Sequence, residues 1–260
     1  MLIKSKLFKT EIISGGEIEY KYISSHNKDS PTIVFLHEGL GSISTWKTFP
    51  TLVAEATNCS VFVYSRHGYG GSSFTKRKFD KSYMHHEALE ILPAILDNFE
   101  IKRPILYGHS DGASIALIHA GAMDTEVSAI IAEAPHVFVE NISIEGIRTA
   151  KSAFEVGNLK NSLTKHHANP DKTFQNWSNA WLNPKFLRWE IKDYLKNIHC
   201  PLLLIQGTED AYGTLKQLES IEENVNGSFK KLVLEKTGHS PHKEASRQVL
   251  LAIKNFISQL

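Results

Sequence analysis

The chain has 260 residues, 42% of them hydrophobic and 22% charged, enough to bury a substantial core in one α/β domain. Lys and Arg total 29 against 28 Asp and Glu, a net charge of +1. That balance excludes a dedicated nucleic-acid or anionic-membrane surface, which needs concentrated basic charge.

The N-terminus, "MLIKSKLFKTEIISGG", has no continuous apolar segment, and no run of about 18 apolar residues appears anywhere. The simplest expectation is a cytoplasmic protein acting on a small molecule, with no nucleic-acid or membrane partner. "KLFKTEII" and "EIEYKYIS" alternate apolar and polar residues around Gly15-Gly16, which predicts an antiparallel hairpin at a sheet edge. The pattern then changes to short, nearly continuous apolar runs: "TIVFLH" (32–37), "VFVYS" (61–65), "PILYG" (104–108), "VSAIIAEA" (127–134), "PLLLIQG" (201–207) and "KLVLE" (231–235). Such runs suit parallel strands covered on both faces. Amphipathic stretches lie between them, at Ser82–Phe99 and Asp111–Met123 for example, and another at Glu244–Leu260 ends the chain. Alternating strand and helix means a doubly wound sheet. The densest basic run, "TKRKFDK" (75–81), reads as a solvated loop, and Cys59 and Cys200 as buried, inert thiols.

Residues 137–195 break the rhythm. They contain no strand run but many aromatics, among them Phe138, Phe154, Phe174, Trp177, Trp181, Phe186 and Trp189. An unstructured loop of that length is improbable in a compact domain, so a helical insertion is predicted. An insertion at a strand's C-terminal end overhangs the crevice where α/β proteins bind ligands. Hence 137–195 is expected to form a cap, or lid, over a core made of 1–136 and 196–260.

Chemistry concentrates at "GHSDG" (108–112), where a buried strand passes into a small-residue helix. Gly-x-Ser-x-Gly in that context is a nucleophile elbow. The turn lifts Ser110 above the sheet at a helix N-terminus, where unpaired N–H groups favour developing negative charge. A serine hydroxyl needs a general base, and the base an orienting acid. His239 in "EKTGHSPH" follows the last strand run and precedes the last helix; Asp210 in "LLLIQGTEDAYG" follows the strand before it. Glu209 and Glu133 remain rivals for the acid. An oxyanion hole is expected from the backbone N–H groups of Asp111 and Gly39, with Leu40 as the neighbouring alternative to Gly39. His37 is expected to brace that turn and His109 to pack beneath Ser110. His136 and Glu38 are candidate substrate contacts. The pairs His85-His86 and His166-His167 are not read as metal sites, because adjacent residues do not share a helix face.

These motifs, with "HEGLGS" (37–42), "SRHGYGGS" (65–72), "QGTEDAYG" (206–213) and "GHSPH" (238–242), resemble the α/β-hydrolase superfamily nearly end to end. The resemblance implies a mostly parallel eight-stranded sheet, a helical cap after strand six and a Ser-His-acid triad with no cofactor, while the two cysteines suggest no metal site. It places Gly39 as the oxyanion donor in "HEGLGS". Two departures stand out: Glu38 where the family has glycine, and Ser65 where many relatives carry aspartate. The expected reaction is hydrolysis of a carboxylic ester of small or medium size under an aromatic cap, where Trp177 and Trp181 are candidates to line the pocket. Alternatives are a C–C bond hydrolase, a thioesterase or lactonase, and a lyase similar to the menaquinone-pathway synthase. The lyase needs basic pocket residues, for which Arg148, Lys151 and Arg188 are available. A non-catalytic small-ligand receptor is the reading from another functional class.

Overall fold

The structure is a computed structural model that describes residues 8–25, 30–77, 79–123 and 126–260. Residues 6–7 of the first predicted strand and Lys78 of the basic run lie outside the described residues.

Eight strands form one sheet in the order β1-β2-β4-β3-β5-β6-β7-β8. The glycine-turned hairpin of β1 (Lys9–Ile13) and β2 (Gly16–Ile23) sits at its edge, and β2 runs antiparallel to β4 (Ser60–Tyr64). From β4 outward every pairing is parallel, through β3 (Thr32–Leu36), β5 (Ile105–His109), β6 (Ala129–Glu133), β7 (Leu202–Gly207) and β8 (Phe229–Leu234). The central strands are apolar without a break because helices cover both faces. Val34, Phe62, Leu106 and Ile130 enter one core, and Ile33, Val61, Ile105 and Ile131 the other.

Helix α1 (Phe49–Thr57) lies between β3 and β4. Before β5, α2 (Tyr83–His86) continues through a π-helical turn (Glu87–Ile91) into α3 (Leu92–Asn98). Helix α4 (Asp111–Ala122) follows β5 and is buried on nearly every side, which explains its small residues. The C-terminal amphipathic stretch is interrupted at Ala245, with α10 (Pro241–Glu244) before the break and α11 (Ser246–Ile257) after it. Helix α9 (Lys216–Asn224) separates β7 from β8.

Between β6 and β7 the chain forms α5 (Asn141–Glu155), α6 (Asn158–Leu163), α7 (Pro170–Trp181), a 3-10 turn (Pro184–Arg188) and α8 (Lys192–Leu195). Its aromatics stack on one another: Phe154 on Phe174 with centroids 4.0 Å apart, and Phe186 on Trp189 at 5.3 Å. They do not make a core apart, because Phe174, Trp181, Phe186 and Trp189 join the same apolar cluster as one face of the sheet. Cys59 is buried and Cys200 only partly so, and both are free thiols. Among the described residues no helix is long and apolar enough to cross a membrane.

Candidate active site

The elbow between β5 and α4 requires its glycines. A Cβ on Gly108 would lie 2.3 Å from the backbone of Gly112, and a Cβ on Gly112 would lie 2.0 Å from the carbonyl of Leu36. This close approach lets the strand turn sharply into the helix. Ser110 bears the resulting strain, with φ at 54° and ψ at −118°.

The Ser110 Oγ lies 2.9 Å from His239 Nε2, and His239 Nδ1 lies 2.8 Å from both carboxylate oxygens of Asp210. Residues 110, 210 and 239 arrive from three strand ends, after β5, β7 and β8 respectively. Asp210 also accepts hydrogen bonds from the Gln206 side chain at 2.7 Å and the Tyr212 N–H at 2.8 Å. Burial pushes its acidity the other way, but the His239 contact and the Tyr212 N–H outweigh it and hold the carboxyl below its ordinary range. Glu209 is exposed.

Glu133, the rival acid, is engaged elsewhere. It accepts from the His242 N–H at 2.8 Å, from His242 Nδ1 at 2.7 Å and from the Tyr107 hydroxyl. Burial raises its pKa, yet the paired His242 and these hydrogen bonds win and bring it to about 2. A carboxyl depressed in the folded state contributes stability above its unfolded pKa of about 4.3, and that contribution disappears as pH falls toward 2. Glu133→Gln is therefore expected to lose about 2–3 kcal/mol of unfolding free energy at pH 7. In urea titrations the gap between wild type and variant should close between about pH 4.3 and pH 2; a gap independent of pH would refute the assignment. Glu133, His109 and His242 are the one group of metal-ligating type found among the described residues. Its carboxylate is already committed to hydrogen bonds from within the protein.

The turn after β3 is braced from three sides. His37 Nδ1 donates to the carbonyl of Glu38 at 2.7 Å, and Arg66 Nη2 donates to the same oxygen at 3.0 Å. His37 Nε2 accepts the Arg66 N–H at 3.0 Å, which fixes the ring's tautomer. Because a peptide unit is planar and trans, holding the Glu38 oxygen on one side turns the Gly39 N–H to the other. His167 adds a third brace that sequence reasoning missed: its Nε2 donates to the Leu40 carbonyl and its Nδ1 accepts the Gly70 N–H, both at 2.9 Å. Nothing in the dipeptide His166-His167 marks it for that role; only the packing of the β6–β7 segment on the turn reveals it. Gly39 is also sterically required, since a Cβ there would lie 2.0 Å from Trp177 Nε1. The Asp111 N–H belongs to the first residue of α4 and has no helical acceptor.

Both departures from the family pattern have structural answers. Glu38 folds back across Gly41, whose missing Cβ leaves room for the carboxylate, toward His109 Nδ1 at 3.7 Å and Lys243 Nζ at 3.6 Å. Burial opposes its ionisation, but His109 and Lys243 hold it well below the usual range, and Glu38 in turn raises His109 against the cost of burial. His109 Nε2 donates to the His239 carbonyl at 2.6 Å, so this residue supports the loop that carries His239. Ser65 donates its hydroxyl to Glu19 from β2, so a carboxylate reaches this corner by another route.

Ser110 opens into a cavity of about 210 Å³. Gly39, Asp111, Glu38, His136, Trp177 and Trp181, all singled out by the sequence, line it. Ile147 and Tyr212 line it as well, and no sequence signal distinguished them. Phe174 and Trp189 are buried in the core instead. His136 packs edge-on against Trp181 with centroids 5.1 Å apart, and its buried Nδ1 has no hydrogen-bond partner. Burial, then the neighbouring His239, pushes its pKa down to about 4, so it is a neutral imidazole at neutral pH. No lysine or arginine lines the cavity, and Arg148, Lys151 and Arg188 are exposed on the surface.

A sequence model described as the alpha/beta hydrolase family matches residues 33–252. No curated protein sequence gives a significant match. Among solved structures, the enol-lactonase from Burkholderia xenovorans LB400 superposes with a TM-score of 0.75 at 14% identity, over 96% of this chain and 100% of that one. An esterase from Exiguobacterium antarcticum gives 0.75 at 16% identity, over 96% and 98%. The meta-cleavage product hydrolase from Pseudomonas fluorescens IP01 gives 0.74 at 17% identity, over 96% and 97%. Likeness at such identities is one of fold, and these three proteins bear three different activities.

Proposed function

The chain belongs to the α/β hydrolase family, and from that premise we propose that it is a serine hydrolase cleaving a carboxylic ester of small or medium size, with residues 137–195 as its cap. The observation that carries this reading is the continuous relay from Asp210 through His239 to the Ser110 hydroxyl, at 2.8 and 2.9 Å. In the proposed reaction His239 Nε2 takes the hydroxyl proton as Ser110 Oγ attacks the ester carbonyl carbon. Charge on the carbonyl oxygen falls to the N–H groups of Gly39 and Asp111, each worth about 3 kcal/mol in the transition state. The imidazolium then protonates the leaving alkoxide, and water repeats the sequence on the acyl-enzyme. Asp210 keeps Nδ1 protonated throughout, so that Nε2 presents its lone pair to the serine.

The cavity favours an uncharged acyl group. Ile147, Trp177, Trp181 and Tyr212 give it apolar surface, His136 is neutral, and the acidic side chains on its wall, Glu38 and Asp111, repel an anion. A lyase acting on an anionic substrate finds no cation there, which weighs against that alternative. A p-nitrophenyl ester series from acetate to octanoate tests the reading. We expect kcat/KM to peak at short chains and to fall at least about tenfold by octanoate, because an octanoyl chain fills about 210 Å³ under two tryptophans and leaves no room beside it for the leaving group. If no ester turns over while a serine-directed phosphonate still labels Ser110, ester hydrolysis is the wrong reaction. If neither occurs, the receptor reading replaces it.

A further inference from the structure

A second cavity, of about 400 Å³, lies behind the wall of the Ser110 cavity, between the loop after β4, the start of α2 and the polar face of α7. Its charge is opposite in character to that of the first. Arg66, Lys76, Arg77 and Lys172 line it against a single carboxylate, Glu87. Glu87 accepts a hydrogen bond from the Tyr64 hydroxyl at 2.9 Å, and burial pushes its pKa up. Lys76, Arg77 and Lys172 are the weakly compensated cations; Arg66, 2% exposed, is held by the Glu38 carbonyl at 3.0 Å and faces the Asp111 carboxylate at 3.8 Å. Lys172 stands 4.2 Å over the Phe74 ring, while its helix neighbour Asp171 pairs with Lys160 instead. Arg77 reaches Glu90 only at 4.0 Å. Two further lining residues hold buried polar atoms without partners, His67 Nε2 and the Tyr69 hydroxyl. Phe74, Phe79 and Tyr83 supply flat apolar walls, the last two stacked with centroids 5.0 Å apart.

We propose that this cavity binds a small organic anion with a flat apolar body, such as an aromatic carboxylate, at a site separate from Ser110. The carboxylate meets the two lysines and Arg77, and the ring packs between the aromatic walls. Binding is felt at the elbow, because the dividing wall is a hydrogen-bonded unit. Trp181 Nε1 donates to the Tyr83 hydroxyl at 2.9 Å, the Tyr83 hydroxyl donates to the Asp111 carboxylate, and Arg66 faces that same carboxylate. An anion beside Arg66 offsets the field that this guanidinium exerts on Asp111, the residue whose N–H is the proposed oxyanion donor. The binding half of this proposal is independent of the ester reading; only its effect on turnover rests on it.

Calorimetry on the full chain, with Ser110 first blocked by a phosphonate, tests the site using 2-naphthoate against the isosteric 2-naphthamide. Naphthoate is expected to bind at or below about 1 mM, and naphthamide at least tenfold more weakly. The double variant Lys76→Glu/Lys172→Glu, whose fold is checked by its melting curve, should weaken naphthoate at least about tenfold. Equal affinity for acid and amide, no binding at millimolar concentration, or indifference to the charge reversal would each overturn the site. Loss of binding on blocking Ser110 would place the ligand in the catalytic cavity and overturn it too. Saturating naphthoate should also shift kcat/KM for p-nitrophenyl acetate in wild type but not in the double variant; an unchanged value in saturated wild type overturns the coupling. Should neither ester nor phosphonate react at Ser110, the same titration of the unblocked chain beside the charge-reversed variant still decides the site.

Discussion

Replacing Ser110 with alanine is expected to cut kcat for a short p-nitrophenyl ester by about a million-fold while leaving thermal unfolding within a degree or two of wild type. The expected loss is large because the members of the proposed relay act as a unit. With the hydroxyl gone, His239 Nε2 has no proton to take, and the Asp210–His239 contact at 2.8 Å orients a base without a task. His239→Ala should therefore cost nearly as much by itself, and the double variant scarcely more than either single one. Folding should survive, since what strains this turn is the backbone at φ 54°, and the glycines at 108 and 112 that permit it are untouched. Steady-state kinetics, paired with phosphonate labelling seen by intact mass, makes the measurement. Activity retained above about 1% of wild type, with labelling abolished, would locate the chemistry in some other group.

Asp210→Asn is the second large effect, with an expected fall of about ten-thousand-fold in kcat. The change is nearly isosteric, so its effect comes from the proton. The carboxylate now accepts from His239 Nδ1 and from the Tyr212 N–H. If the carboxamide keeps its oxygen on the backbone donor, it presents its NH2 to the imidazole. The ring must then accept at Nδ1 and carry its proton on Nε2, where it can no longer receive one from Ser110. Because burial opposes ionisation of Asp210 and its hydrogen bonds favour it, the variant is also expected to be relieved of a buried charge. Stability should thus move far less than rate. A variant that loses activity only in proportion to a lost fold would refute the tautomer argument, and urea titration beside kinetics separates the two.

Much of the architecture was legible along the chain because its signals are local. Apolar runs such as Ala129–Glu133 are buried along their whole length, as strands covered on both faces must be. The glycines at 108 and 112 announced the tight turn, since backbone contacts near 2 Å admit no other residue. The order Ser110, Asp210, His239 followed from where each stands relative to a strand end, and the sheet carries those ends to one edge. The helical content of 137–195 was legible as well, from the absence of any strand run.

The sequence by itself determined the strands, the elbow and the candidates for base and acid, because spacing along the chain is dictated by backbone geometry and by burial. Tertiary structure alone decided which carboxylate meets the imidazole at 239: Asp210 faces it, while Glu133 turns to His242. It also decided that Trp177 and Trp181, not Phe174 or Trp189, look onto Ser110, that His167 clamps the turn after β3, and that two neighbouring cavities carry opposite electrostatic character. Those outcomes depend on which side chains meet across elements far apart in sequence, and helix periodicity fixes a face without fixing what that face will meet.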